Sequence, residues 1–159
     1  MRPFAEVCLR IGGYHNNDGN IGGEGVNPNF CTQLLGIAPN TQWEKGDPCP
    51  SLPSGMELTR RINLWMYSTE NRVENDDPYD PLPHINHIIQ VFSEKKAQFN
   101  QIHSTGNVCI SICITWGVQH GSYTLDRQML ETILKMGIDE IRYIFVGIED
   151  EEEDEMATT

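Results

Sequence analysis

Fourteen residues, Leu34 to Asp47 (LLGIAPNTQWEKGD), narrow the folds open to this chain more than any other stretch. A helix arriving through Leu34-Leu35 must stop at Gly36, because glycine takes the left-handed conformation of a helix end without strain. Pro39-Asn40 is a turn signal, Thr41-Gln42-Trp43 leaves room for a short edge strand, and Lys45-Gly46-Asp47 turns the chain again. Upstream, Asn27-Pro28 supplies an N-cap and a first-turn proline. The helix is therefore short and carries Phe30, Cys31, Leu34 and Leu35. Trp43 reads as a core anchor and the Lys-Gly-Asp corner as a tight turn, in preference to a recognition corner.

The flanking segments supply strands and two further helices. Phe4 to Ile11 alternates with a period of two, Val7, Leu9 and Ile11 against Glu6, Cys8 and Arg10, which predicts a strand. Gly12 to Val26 is a glycine-rich loop, read as too polar and flexible for a core position. It carries no lysine and matches neither dinucleotide nor P-loop spacing, so phosphate binding is disfavoured. Met56–Arg61 and Ile62–Thr69 are expected strands, and Asn71 to Pro83 an acidic, proline-rich loop. From Asp80-Pro81 the spacing of Leu82, Ile85, Ile89, Phe92, Phe99 and Ile102 predicts one long helix. Val108 to Trp116 is the strongest strand, with Val108, Ile110, Ile112 and Ile114 on one face and Cys109, Ser111, Cys113 and Thr115 on the other. A short extended piece is expected at Ser122–Leu125. Asp126 then caps a helix that Gly137 stops, and Asp139–Val146 is the last strand. The sum is an α+β fold, a single largely antiparallel sheet with two or three helices packed on one face.

At 159 residues the chain fits one domain, residues 1–148, followed by an acidic C-terminal tail, residues 149–159. The net charge is −12, of which seven charges come from the run Glu149 to Glu155; residues 1–148 hold the other 16 acids against 11 bases. That balance argues against nucleic acid or an anionic membrane as a direct partner and favours a basic protein. The five cysteines (Cys8, Cys31, Cys49, Cys109, Cys113) and the lack of a secretory pattern at the start lead to an expectation of reduced thiols in a cytoplasm.

Four stretches resemble one bacterial family, the domain of unknown function numbered 4279. They are the opening strand Glu6–Gly12, the element Gly36-Ile37-Ala38-Pro39 with Trp43-Glu44-Lys45-Gly46-Asp47, the run Gly55-Met56-Glu57-Leu58, and the helix–glycine–strand unit Leu125–Val146. The resemblance implies the fold and a bacterial origin but no chemistry. It also implies a setting, since members of such families occur beside polymorphic toxins as immunity proteins.

No catalytic motif is present. His84 and His87 share a helix face at i, i+3 and are the metal candidates, yet no further ligand lies near them in sequence and a closed zinc site needs four. Cys109 and Cys113 are about 13 Å apart along one strand, too far to share an ion or a disulfide. The expected function is that of a non-enzymatic protein that binds another protein, most concretely an immunity protein (antitoxin) neutralising a cationic toxin, plausibly a nuclease. Its contacts would be Asp76, Asp77 and Asp80 and the tail residues Glu149, Asp150, Glu151, Glu152 and Glu153. No cofactor is expected, and the oligomeric state is left open. Two alternatives stand beside this reading. One is a small-molecule or metal-binding enzyme using His84, His87 and His120. The other is a structural or oligomerisation module using the Cys109–Thr115 sheet face.

Overall fold

The computed structural model describes residues 5–50, 58–74, 76–117 and 123–146. In chain order the elements are β1 (Ala5–Gly12), β2 (Tyr14–His15), β3 (Ile21–Gly23), α1 (Pro28–Leu35), β4 (Thr41–Trp43), β5 (Leu64–Ser68), α2 (Leu82–Phe92), α3 (Lys96–Ser104), β6 (Cys109–Trp116), α4 (Arg127–Met136) and β7 (Glu140–Phe145). The five-stranded sheet runs β4-β5-β1-β6-β7, and β2 and β3 make a separate two-stranded sheet. Every pairing in the large sheet is antiparallel except β6 with β7. That exception follows from the connection: α4 is a crossover, which returns the chain parallel to the strand it left. The fold is α+β, as the sequence predicts. No described helix is long and apolar enough to cross a membrane.

The core lies between the helices and one face of the sheet. Val7, Leu9 and Ile11 of β1 and Ile110, Ile112 and Ile114 of β6 are buried there with Trp65 and Tyr67 of β5. Cys31 and Leu35, Ile85, Ile88 and Phe92, Phe99 and Ile102, and Ile133 and Met136 come from α1 to α4 in turn. Phe92 is the hub: its ring meets Trp65 at 6.3 Å, Tyr67 at 5.2 Å and Phe99 at 6.2 Å between centroids. The helix ends follow the sequence signals. Asn27 Oδ1 accepts from the backbone of Asn29 and Phe30, Asp126 accepts from Met129, and Gly36 and Gly137 stop their helices at φ 68° and 88°.

Four expectations need correction. The long helix is two, α2 and α3, broken at Ser93–Lys95. The buried residues Ile85, Ile88, Phe92, Phe99 and Ile102 skip one place on their stripe, and Lys95 occupies it. A straight helix would drive that ammonium into the core; instead Lys95 N donates to Phe92 O at 2.9 Å and ends the turn. At its start the N-cap position falls to Pro81, and Asp80 one place before it accepts from Leu82 N through Oδ1 at 2.9 Å.

Second, the glycine-rich stretch is a hairpin packed on the fold, with Gly13 and Gly23 buried. A Cβ on Gly13 would stand 2.5 Å from Gly23 O, and one on Gly23 would stand 2.3 Å from Asn107 O. These glycines allow backbone to lie on backbone. Third, of the expected strand Met56–Arg61 the described part carries only an isolated bridge, Thr59 with Pro48; likewise the described Tyr123–Leu125 is not a strand. Fourth, Trp43 is half-buried at the sheet edge, where its Nε1 donates to Ile62 O at 3.1 Å and Arg60 covers its ring at 4.0 Å. The tryptophan fully enclosed in the core is Trp65, with no solvent exposure.

Candidate functional site: an acidic corner pinned to the sheet

The loop from β5 to α2 leaves the sheet at Thr69, which is fully buried. Thr69 N donates to Val7 O at 3.0 Å, and its Oγ1 accepts from Val7 N at 3.1 Å and pairs with His84 Nδ1 at 2.8 Å. One threonine thus ties the loop to β1 and α2 together. Asn71 follows with φ 58°, a left-handed turn that asparagine tolerates. The Arg72 guanidinium lies over the Tyr67 ring at 4.6 Å, and Tyr67 OH bonds His87 Nε2 at 2.9 Å.

Beyond this anchor the loop is acidic. Glu70, Glu74, Asp76 and Asp77 are exposed and Asp80 is half-buried, with Arg72 the one cation among the described residues from 70 to 80. Its backbone is set by short-range bonds: Asp77 Oδ1 accepts from Tyr79 N at 2.9 Å, and Asp80 N donates to Asp77 O at 3.1 Å. The far end is fixed from the sheet, where Trp116 Nε1 donates to Tyr79 O at 2.7 Å. Trp116 is itself buried, with Tyr123 and Phe145 rings 5.1 and 6.2 Å away. Its carbonyl accepts from Val146 N at 3.1 Å. The residue that holds the acidic loop therefore also receives the chain three places before the run Glu149 to Glu155 begins.

Of the sequence-predicted contacts, Asp76, Asp77 and Asp80 stand together on this corner. Glu149, Asp150, Glu151, Glu152 and Glu153 lie outside the described residues. Sequence reasoning missed Glu70, Glu74, Tyr79 and Trp116. The two glutamates were legible as part of the charge run that continues into Asp76. The reach of Trp116 to Tyr79, across 37 residues, had no local signal.

The two histidines do not converge on a metal position. His84 is spent on Thr69 and His87 on Tyr67, so both fasten α2 to β5. Burial holds the His84 imidazole below the ordinary histidine range. Among the described residues no three His, Cys, Asp or Glu side chains form a ligand cluster; His120 lies outside those residues.

The cysteines are free thiols. Burial pushes the Cys31 and Cys109 thiols up to about 12 and raises Cys8 further, with Glu6 and Glu140 adding to the shifts at Cys8 and Cys109. Protonated thiols are poor nucleophiles and poor ligands. On the sheet face proposed for oligomerisation, Ser111 and Cys113 are buried, and only Cys109 and Thr115 are half-exposed.

A family model described as a domain of unknown function, DUF4279, matches residues 20–140. The chain belongs to this family. No curated protein and no solved structure matches it. The DUF4279 match spans β3 to the first residue of β7 and contains the loop from Thr69 to Asp80 with His84 and Trp116, but not Val7 or Phe145–Val146.

Proposed function

We propose that this DUF4279 chain is a non-enzymatic protein-binding protein of a bacterial cytoplasm, an immunity protein that neutralises a cationic toxin. A nuclease is the toxin its charge fits best. The observation that carries the reading is the acidic corner, where five carboxylates on one loop are held between Thr69 and the Trp116–Tyr79 bond. Nucleases hold phosphates on basic surface. A fixed set of carboxylates complements that surface, speeds encounter and occupies the cleft. Tyr79, 42% exposed in the middle of the acids, supplies the aromatic anchor that protein interfaces favour. His84 and His87 are engaged with Thr69 and Tyr67, and burial keeps the Cys31 and Cys109 thiols protonated, which supports a binding role over a catalytic one for these groups.

The experiment is to co-express the chain with the product of the reading frame directly upstream and to measure association by biolayer interferometry between 50 and 500 mM NaCl. The double variant Asp76→Lys/Asp77→Lys should associate about tenfold more slowly at low salt and show a flatter salt dependence. Association unchanged in rate and salt response would refute the electrostatic reading.

A further inference from the structure

The face of the sheet turned away from the helices carries two thiols directly opposite one another. Cys8 of β1 and Cys113 of β6 are register partners, so their side chains project from the same face. No other two cysteines among the described residues are partners across strands.

Backbone bonds on either side fix how the two strands meet at this pair. Val7 O accepts from Thr69 N on the β5 side, so by alternation Cys8 N and O face β6. Ile110 O and Trp116 O accept from Asp139 N and Val146 N on the β7 side, so Cys113 N and O face β1. The two residues are therefore a hydrogen-bonded pair, with Cα atoms about 5.5 Å apart. That separation lies in the middle of the range a disulfide spans, about 4.4–6.8 Å.

Both side chains are nearly buried, at 6% and 8% exposure, and both are free thiols. Cys8 Sγ donates to Glu6 Oε1 at 3.2 Å, and Ser111 Oγ lies 3.8 Å from Cys113 Sγ. Arg142 is the β7 partner of Cys113. Burial raises the Cys8 thiol well above its ordinary range, and Glu6 and the neighbouring Cys113 add to the shift.

We propose that Cys8 and Cys113 form a reversible disulfide across β1 and β6, a redox-sensitive staple between the two strands from which the acidic corner hangs. Val7, beside Cys8, holds Thr69, and Trp116, three places past Cys113, holds Tyr79. The oxidant is a small disulfide such as glutathione disulfide. Cys113 is the attacking sulfur, because burial and Glu6 hold Cys8 protonated. Cys113 gives its proton to solvent, and its thiolate attacks one sulfur of glutathione disulfide. One glutathione thiolate leaves, and a mixed disulfide remains on Cys113. Cys8 then passes its proton to Glu6, and its sulfur attacks Cys113 Sγ. The bond to glutathione breaks, and the departing thiolate takes the proton from Glu6. The chain loses two electrons and two protons, and glutathione disulfide is reduced to two thiols.

The same geometry makes the bond labile. A disulfide holds its Cβ atoms about 3.8 Å apart, whereas opposed residues on antiparallel strands hold theirs about 4.5–5.5 Å apart. The strands must draw in to close the bond, and a disulfide made under strain is readily reduced again.

The test is to expose the folded, reduced wild-type chain to millimolar glutathione disulfide or to diamide, alkylate the remaining thiols and digest without reduction. Peptide mapping should find one internal cross-link, Cys8 to Cys113, and millimolar reduced glutathione should reopen it. Cys8→Ser should stop after the first step, with glutathione retained on Cys113. Cys113→Ser should lose the cross-link and leave Cys8 unmodified. The wild-type map decides the pairing whether or not these variants fold. If neither oxidant links Cys8 to Cys113 in the folded chain, or the link forms only after unfolding in urea, the proposal is overturned. A link that reduced glutathione cannot reopen overturns its reversibility, and glutathione found on Cys8 in Cys113→Ser overturns the order of attack.

Discussion

Thr69→Val tests how the acidic corner is held. Valine matches threonine in shape, so packing is kept and only the hydroxyl is lost. That hydroxyl serves two buried groups, Val7 N at 3.1 Å and His84 Nδ1 at 2.8 Å, at a site with no solvent exposure to replace it. A net hydrogen bond contributes about 1 kcal/mol, and a buried polar group left without a partner costs about 1–3 kcal/mol. The expected loss is about 2–4 kcal/mol. The Thr69 N to Val7 O bond survives, which sets the upper limit. In a chain of this size such a loss lowers Tm by roughly 6–12 °C. Urea denaturation followed by circular dichroism gives the difference directly, and Thr69→Ser is the control. Serine keeps the hydroxyl and deletes one buried methyl, so it should cost only about 1 kcal/mol. If Thr69→Val falls within 0.5 kcal/mol of the wild type, or if Ser and Val cost the same, the hydroxyl does not tie β1, β5 and α2 together, and the account of the corner fails with it.

Phe92→Ala should cost about 3–5 kcal/mol by the same assay, because the ring is fully buried against Trp65, Tyr67 and Phe99. His84 predicts an acid-side loss of stability. Burial lowers its folded-state pKa below the unfolded value of 6.5, so the unfolded chain binds the proton more readily and stability falls as pH drops below about 6.5. The slope attributable to this residue is at most about 1.4 kcal/mol per pH unit. Urea midpoints at pH 8, 6 and 5 should show it in the wild type and show less of it in His84→Asn.

Much of the fold was legible because its signals are local. Gly36 and Gly137 stop helices, Asn27 and Asp126 start them, and Val108 to Trp116 alternates cleanly, all within spans of a few residues. The misreadings share one cause, which is tertiary approach. Gly13 and Gly23 looked like a loose loop because glycine is common in loops, yet here they admit backbone contact with each other and with Asn107. The apolar stripe of α2 and α3 read as one helix because a period of 3.6 continues through Lys95; only the cost of burying that lysine separates them. Asp76, Asp77 and Asp80 were recognisable as a patch from composition. That the patch is tied at both ends depends on Trp116 of β6 and on Thr69 with its partners Val7 and His84, and no short window around residue 76 contains them.

The corner's composition runs against its stability, and that leads to a test needing no partner. Glu70, Glu74, Asp76, Asp77 and Asp80 share a short loop with Arg72 as the cation among them, and like charges at this density repel. A loop selected only to connect β5 to α2 would relieve this by mixing signs, as most protein surfaces do. Here the repulsion is instead offset by buried anchors, Thr69 at one end and the Trp116 indole at the other. Screening should therefore stabilise the chain. Raising NaCl from 0.02 to 0.5 M shortens the Debye length from about 20 Å to about 4 Å and should add roughly 1 kcal/mol, a rise in Tm of about 3 °C. Asp76→Asn/Asp77→Asn should raise Tm at 0.02 M NaCl and reduce the response to salt. A chain whose Tm falls with added NaCl, or whose double variant is the less stable at low salt, would mean that these carboxylates hold the fold together. The inference that they are kept for an outside cation would then be wrong.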